Sequence, residues 1–174
     1  RKALVLNLGG GVVCDLGGWV AANYKRGIDF IHIPTSLLAM VDASIGGKTG
    51  IDLGGIKNLV GSFSSPVAVV SHTPFLKTLP QREWDSGYAE MIKHALIADK
   101  ELWIQLRQTM PNEHEKIESH IPNAIQIKRD VVSGNSKIKK NGSKTDEIKR
   151  EISDCTTKLE QLSQSKEWSS FVEL

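Results

Sequence analysis

The apolar positions come in two textures. At the front of the chain they form short runs separated by glycine, and behind that they recur at helical spacing between charges. Lys2–Leu8 is largely apolar and runs into Gly9-Gly10-Gly11, which predicts a buried strand and a tight turn. Val12–Lys25 predicts a helix that Gly27 closes. Asp29–Ile33 predicts a second strand stopped by Pro34, Ser36–Ala43 another helix, and Pro66–Ser71 a third strand. Strands alternating with helices predict an α/β, Rossmann-like parallel-sheet domain over residues 1–80.

From Gln81 the pattern is helical. Trp84, Tyr88, Met91, Ile92, Ala95 and Leu96 share one side of a helix over Arg82–Ala98. Further helices are expected around Glu101–Thr109 and Lys116–Val132, with Pro111 between them, so residues 81–132 form the start of an α-helical domain. Residues 133–174 change texture again. Ser133–Lys144, made mostly of Gly, Asn, Ser and Lys, predicts a loop. Ile148, Ile152, Cys155, Leu159 and Leu162 then recur at spacings of four and three, the seam of a short amphipathic helix.

Composition narrows the function classes. The chain has 174 residues, 40% hydrophobic and 24% charged, which suits one globular core or two small ones. A net charge of +2 gives no strong pull toward nucleic acid or a membrane surface. No apolar run reaches the roughly 18 residues that span a bilayer. The two cysteines, Cys14 and Cys155, form no framework pattern, as expected of a reducing, cytoplasmic setting. The sequence opens at Arg1 directly into an apolar run with no signal-peptide pattern, so further sequence is expected ahead of it.

Three stretches carry candidate chemistry. The first is Gly9-Gly10-Gly11-Val12-Val13-Cys14-Asp15. Glycines let a backbone approach a ligand closely, and the unpaired N–H groups of a helix start suit pyrophosphate. It is not the GxGxxG fingerprint, and a tight turn packing helix on sheet explains it equally well. The second is Asp42–Gly50, whose GGKTG superficially resembles a P-loop. No glycine stands where a P-loop's first would, which excludes the ATPase reading. Lys48, Lys57 and Asn58, in flexible loops, suit an anionic, hydroxyl-rich small molecule, or are simply solvated. The third is Glu90 with Lys93, on one helical face: an exposed ion pair, or a metal-binding carboxylate beside a phosphate-binding lysine. His94 lies four residues from Glu90, but a zinc pair is disfavoured because none of His32, His72, His114 or His120 is spaced as a helical partner.

Taken together and in order, GGGVVCDLGGWVAANYKRGIDFIHIPTSLLAMVDASIGGKTGID, KNLVGSF, FLKTLP and GYAEMIKHALI resemble the 3-dehydroquinate synthase family over roughly residues 1–132. The resemblance implies a two-domain enzyme, α/β followed by α-helical, usually a homodimer, that uses NAD and a divalent metal, zinc or cobalt. Its substrate would be the sugar phosphate 3-deoxy-D-arabino-heptulosonate 7-phosphate, converted to 3-dehydroquinate and phosphate in the shikimate route to chorismate and the aromatic amino acids. NAD would oxidise a ring hydroxyl, phosphate would leave by elimination, the hydride would return, and ring opening with an intramolecular aldol step would close the carbocycle. The net reaction is that of a lyase.

By the same resemblance Gly10, Gly11, Val12, Val13, Cys14 and Asp15 would lie along the NAD pyrophosphate and ribose. Thr35, Ser36 and Phe75, Leu76, Lys77 and Thr78 would continue that site, with Lys48 and Lys57 beside it and Asp42 near the nicotinamide. Lys48, Lys57, Asn58 and Lys93 would hold the substrate's carboxylate, hydroxyls and phosphate, and Glu90 would be one of three metal ligands. The family's histidine-bearing run after Arg129-Asp130-Val131-Val132 has no counterpart here, because residues 133–174 contain no histidine. The family's first NAD-binding strands would also lie ahead of Arg1. The chain alone is therefore expected to keep one family metal ligand, to bind neither zinc nor NAD tightly, and to show no turnover. Three rivals remain: an aminocyclitol-type sugar-phosphate cyclase, which generally lacks GGKTG; a metal-dependent alcohol dehydrogenase, not expected to combine the Lys57-Asn58 and Glu90–Lys93 segments; and a non-catalytic remnant.

Overall fold

The structure is a computed structural model that describes residues 3–133. The loop and amphipathic helix expected beyond Ser133, with Ile148, Ile152, Cys155, Leu159 and Leu162, lie outside the described residues.

The apolar runs become strands where expected. β1 (Leu4–Gly9), β2 (Asp29–Pro34) and β5 (Ala68–Val69) form a parallel sheet in the order β1-β2-β5. Register runs from Leu4 opposite Asp29 to Gly9 opposite Pro34, and Ile31 sits opposite Ala68. The third strand is shorter than the apolar run over 66–71, pairing only two residues. α1 (Gly11–Asn23) crosses from β1 to β2, the βαβ connection that parallel pairing demands.

Small residues set how close α1 lies. A Cβ on Gly17 would fall 1.9 Å from Asn7 Oδ1, and one on Gly18 would fall 2.5 Å from Thr49 Cγ2. The helix therefore touches both β1 and the hairpin beyond the sheet. Among the described residues β1 is an edge strand, and its Leu4, Leu6 and Leu8 stay about half exposed, as do Leu16 and Val20 of α1, with Val12 more exposed still.

The sequence pattern misplaces one element. Lys48, Lys57 and Asn58 are not in flexible loops. They lie on an antiparallel hairpin, β3 (Lys48–Leu53) and β4 (Ile56–Phe63). The glycines that suggested a loop serve the hairpin. Gly54 (φ 62°) and Gly55 (φ 79°) make a two-residue turn needing left-handed backbone at both positions. Gly50 and Gly61 face each other so closely that a Cβ on either meets a carbonyl oxygen of the opposite strand within 3 Å.

The helical half closes over a short helical segment at residues 37–43, whose last five residues, Ala39–Ala43, form a π-helical turn. α2 (Gln81–Ala98), α3 (Lys100–Leu106) and α4 (His114–Ser133) surround it. Leu37, Met40 and Val41 share one core with Trp84, Met91, Leu102, Leu106, Ile117 and Ile121. The Tyr88 hydroxyl is held in that core by the Leu106 and Thr109 carbonyl oxygens, and the Asp99 carboxylate caps α3 through the Glu101 and Leu102 N–H groups.

Two predictions follow from these contacts. A Cβ on Gly87 would stand 2.5 Å from Leu37 Cγ and 2.7 Å from the Leu38 backbone nitrogen. Alanine would gain about 1 kcal/mol of helix propensity, yet overpacking against backbone costs more, about 1–3 kcal/mol. Gly87→Ala should therefore lower the urea midpoint rather than raise it. The second concerns His32, which is buried and faces Asn7 Nδ2 across 3.3 Å. Burial pushes its imidazole down to about 4 from 6.5. The unfolded chain takes up a proton below pH 6.5 and the folded chain does not, so stability is lost as pH falls from 6.5 toward 4. That loss amounts to about 3 kcal/mol at its limit. Urea denaturation between pH 7 and 4.5 should show this slope, and His32→Gln should flatten it.

Candidate metal and nucleotide site

The packing of residues 37–43 against α2 decides where Asp42 points. Asp42 is the next-to-last residue of the π-helical turn, and Glu90, Lys93 and His94 lie on the third and fourth turns of α2. The carboxylates of Asp42 and Glu90 and the His94 imidazole each present one ligand atom, all within 4.8 Å of one another. His94 Nε2 stands 3.2 Å from Glu90 Oε1 and 3.7 Å from Asp42 Oδ1. The imidazole is 4% exposed, and neither ring nitrogen makes a hydrogen bond. A buried polar group without a partner costs free energy, so its retention points to a ligand.

Two ammonium groups close the cluster. Lys93 Nζ pairs with Glu90 Oε1 one helical turn away, and Lys128 Nζ, from α4, lies 2.5 Å from Asp42 Oδ1. Burial pushes the Asp42 carboxyl up, but the His94 and Lys128 side chains and the Glu90 carboxyl facing it outweigh burial and hold it well below the usual carboxylate range. Asp42 is therefore an anion at every pH of interest, ready to take a cation.

The glycine-rich turn lies beside the same segment. Gly10 precedes α1, and a Cβ there would contact Ser36 Oγ, while one on Gly11 would contact the Ala43 side chain, each at 3.5 Å. Ser36 Oγ accepts from the Ala39 N–H, and the Thr35 N–H donates to the Gly9 carbonyl, so Thr35 and Ser36 brace this turn. Val12 is exposed at the helix start, and the first N–H groups there lack intrahelical partners. Asp15 follows in the next turn, half-buried. Burial pushes its carboxyl up, as do Asp42 and Asp52, while Lys57 on the hairpin draws it down. The hairpin is thereby linked to the turn, with Asn58 held at φ 53° by its N–H donating to Asp52 Oδ1 (2.7 Å).

Other expected residues lie outside the acidic cluster. Lys48 begins β3 opposite Phe63. Phe75, Leu76, Lys77 and Thr78 form a 3-10 turn, Thr73–Thr78, with Leu76 buried in the core and Phe75 edge-on to His72. Among the described residues none of these shares a hydrogen bond or ion pair with the acidic cluster. Cys14 and Leu76 offer a ligand only their backbone, since both side chains are buried.

Three members of the cluster escaped the sequence reading as such. His94 was visible at i+4 from Glu90 but was set aside for want of a histidine partner. The third donor is Asp42, 48 residues upstream of Glu90, which no helical spacing could supply. Lys128 carried no signal at all, being 86 residues from Asp42.

Family models described as 3-dehydroquinate synthase N-terminal and 3-dehydroquinate synthase C-terminal match residues 1–86 and 87–145. The chain belongs to the 3-dehydroquinate synthase family. It is 51% identical over 137 residues to the 3-dehydroquinate synthase of Bacillus cereus strain B4264, covering 76% of this chain and 38% of that protein. This dehydroquinate synthase-family chain thus spans about two fifths of that relative's length. Among solved structures it is similar to 2-epi-5-epi-valiolone synthase ValA of Streptomyces hygroscopicus subsp. jinggangensis 5008, with NAD+ and Zn2+ bound (TM-score 0.73, 32% identity, 80% of this chain and 41% of that one). It is also similar to 2-deoxy-scyllo-inosose synthase in complex with carbaglucose-6-phosphate, NAD+ and Co2+ (TM-score 0.66, 31% identity, 82% of this chain and 40% of that one). The mixed α/β fold with a parallel sheet is the one these cyclases share. No described helix is long and apolar enough to cross a membrane.

The glycine-rich turn is also testable through Cys14. Burial, with Asp15 adding to it, pushes the Cys14 thiol up to about 12. At pH 8 its thiolate is scarcer than that of a free thiol by about a thousandfold. In a Cys155→Ser background, Ellman's reagent should leave Cys14 untouched in the folded chain and label it fully in urea. Rapid labelling of the folded chain would place the α1 start differently from the arrangement described.

Proposed function

We propose that this chain belongs to a 3-dehydroquinate synthase. The reaction converts 3-deoxy-D-arabino-heptulosonate 7-phosphate to 3-dehydroquinate and phosphate, a cytoplasmic step of aromatic amino acid biosynthesis catalysed by a homodimer. The observation that carries the reading is the convergence of Asp42, Glu90, Lys93, His94 and Lys128 beside a glycine-rich helix start, in a chain half identical to such a synthase.

The residues fit the cofactors. Two carboxylates and an imidazole suit zinc or cobalt, and the unbonded His94 nitrogens supply the nitrogen donor. Asp42, Glu90 and His94 would hold the ion, which when bound supplies Lewis acidity to an oxygen beside it. The free N–H groups at the start of α1 would hold the NAD pyrophosphate, with Gly10, Gly11, Val12, Val13, Cys14 and Asp15 along it. Thr35, Ser36 and the turn from Phe75 through Leu76 and Lys77 to Thr78 extend that site, and Asp42 bounds it toward the reacting ring.

Each remaining group has a task that its chemistry allows. Lys48 and Lys57 project as point charges from the paired strands of a hairpin, and Asn58 offers both a donor and an acceptor to hydroxyls. Lys93 is half exposed at the edge of the cluster, so its ammonium reaches an incoming phosphate or carboxylate and stabilises negative charge as it develops.

A related sugar-phosphate cyclase is the second reading, favoured by the likeness to ValA and 2-deoxy-scyllo-inosose synthase. The lower identity to both ranks it behind. The test uses the protein extended to the length of its Bacillus relative, supplied with NAD and zinc or cobalt. Phosphate release from the heptulosonate phosphate is expected, with no more than trace release from other sugar phosphates. A folded, metal-loaded protein inactive on this substrate refutes the reading. In the same protein Lys48→Ala and Lys93→Ala should each lower turnover at least about a hundredfold, the scale for losing transition-state charge stabilisation. Near-normal kinetics would return that lysine to the solvated surface.

A further inference from the structure

We propose that Lys93 and Lys128 are internal counter-cations of the Asp42–Glu90–His94 cluster, occupying the carboxylate oxygens a divalent cation would take and leaving them when it binds. The inference rests on the proposed metal site and adds how that site is kept and loaded.

The charge balance of the cluster leads there. Asp42 and Glu90 are 29% and 16% exposed at the side chain, and their oxygens lie within 4.8 Å of one another and of the His94 ring. Two like charges that close, partly withdrawn from water, repel strongly unless neutralised. Here each carboxylate has its own ammonium: Lys128 on Asp42 Oδ1 and Lys93 on Glu90 Oε1. These are the same two oxygens that face His94 Nε2. A cation ligated by Nε2 and both oxygens therefore needs the places the two ammonium groups now fill. A divalent ion and two lysines cannot share them, because three positive centres would then crowd two anions.

The lysines differ in how they leave. Lys93 is 54% exposed and one turn from its partner, so its stem swings into solvent at little cost. Lys128 is 23% exposed and comes from α4, so releasing Asp42 frees one tie between α4 and the segment carrying Asp42. The His94 ring stays unbonded in the lysine-held state because both ammonium groups pair with carboxylate oxygens and neither bonds a ring nitrogen. One cation would satisfy all three ligands at once and set two ammonium groups free beside it.

The test measures zinc affinity of the 174-residue chain by competition with a chromophoric chelator. Lys93→Met and Lys128→Met should each bind zinc at least about tenfold tighter than the wild-type chain, because each removes a positive charge from the site. Lys128→Arg, which keeps the charge, should stay near wild type. Glu90→Gln in the Lys128→Met background should abolish the gain, proving that zinc sits at this cluster. Unchanged or weaker zinc binding in both methionine variants overturns the proposal, as does tightening that survives Glu90→Gln, or zinc binding by none of the chains. Circular dichroism of each variant shows that the fold is retained, and the half-exposed Lys93 site gives a variant with little packing to lose. These outcomes are independent of substrate turnover in the longer protein, so an inactive synthase and an unsupported counter-cation role are told apart.

Discussion

The contact between Gly87 of α2 and the backbone at Leu38 sets the geometry on which the rest depends. Only a residue without a side chain lets the helix reach the 37–43 segment this closely, since a Cβ would stand 2.7 Å from the Leu38 nitrogen. That approach buries Leu37, Met40 and Val41 against Trp84 and Met91, forming the core that joins the α/β half to the helical half. It also fixes the distance between the end of the segment and the third turn of α2. Asp42 and Glu90 face each other above that core.

From that contact the site assembles in layers. The π-helical turn carries an extra residue per turn, as the bond from the Ser44 N–H to the Ala39 carbonyl shows, and such turns are common at functional positions. Ala43, at its end, lies under Gly11, so the start of α1 and the acidic cluster share one supporting segment. Thr35 and Ser36 brace its other end. A nucleotide at the helix start and a cation at the carboxylates would thus be held by neighbouring parts of one short stretch, in agreement with a reaction that couples hydride transfer to oxygen polarisation. The hairpin adds charges from the side, and its glycines serve strand closeness rather than flexibility.

The cluster also adds candidate donors to the one that the family positions supply. Counting family ligands along the sequence leaves Glu90 alone, which cannot hold zinc. Counting donors in space gives Asp42, Glu90 and His94, three groups from two elements that could hold an ion. The two counts differ because family position and spatial neighbourhood are separate properties, and a carboxylate assigned to one role can face another.

The sequence by itself determined the elements whose signals are local. Apolar runs broken by glycine gave β1 and β2, the turn between β1 and α1, and the α/β class; apolar spacing on 81–98 gave α2; and the order of four motifs gave the family. It misread the hairpin because glycines signal both loops and close strand contacts, and only pairing across 48–63 separates the two. It could place Glu90 and His94 on one helical face, since that is a matter of 3.6 residues per turn. It could not bring in Asp42 or Lys128, 48 residues before Glu90 and 86 residues after Asp42, because nothing local encodes which helix face meets which turn. Those meetings were decided by core packing: Gly87 against Leu38 for Asp42, and α4 lying across both for Lys128.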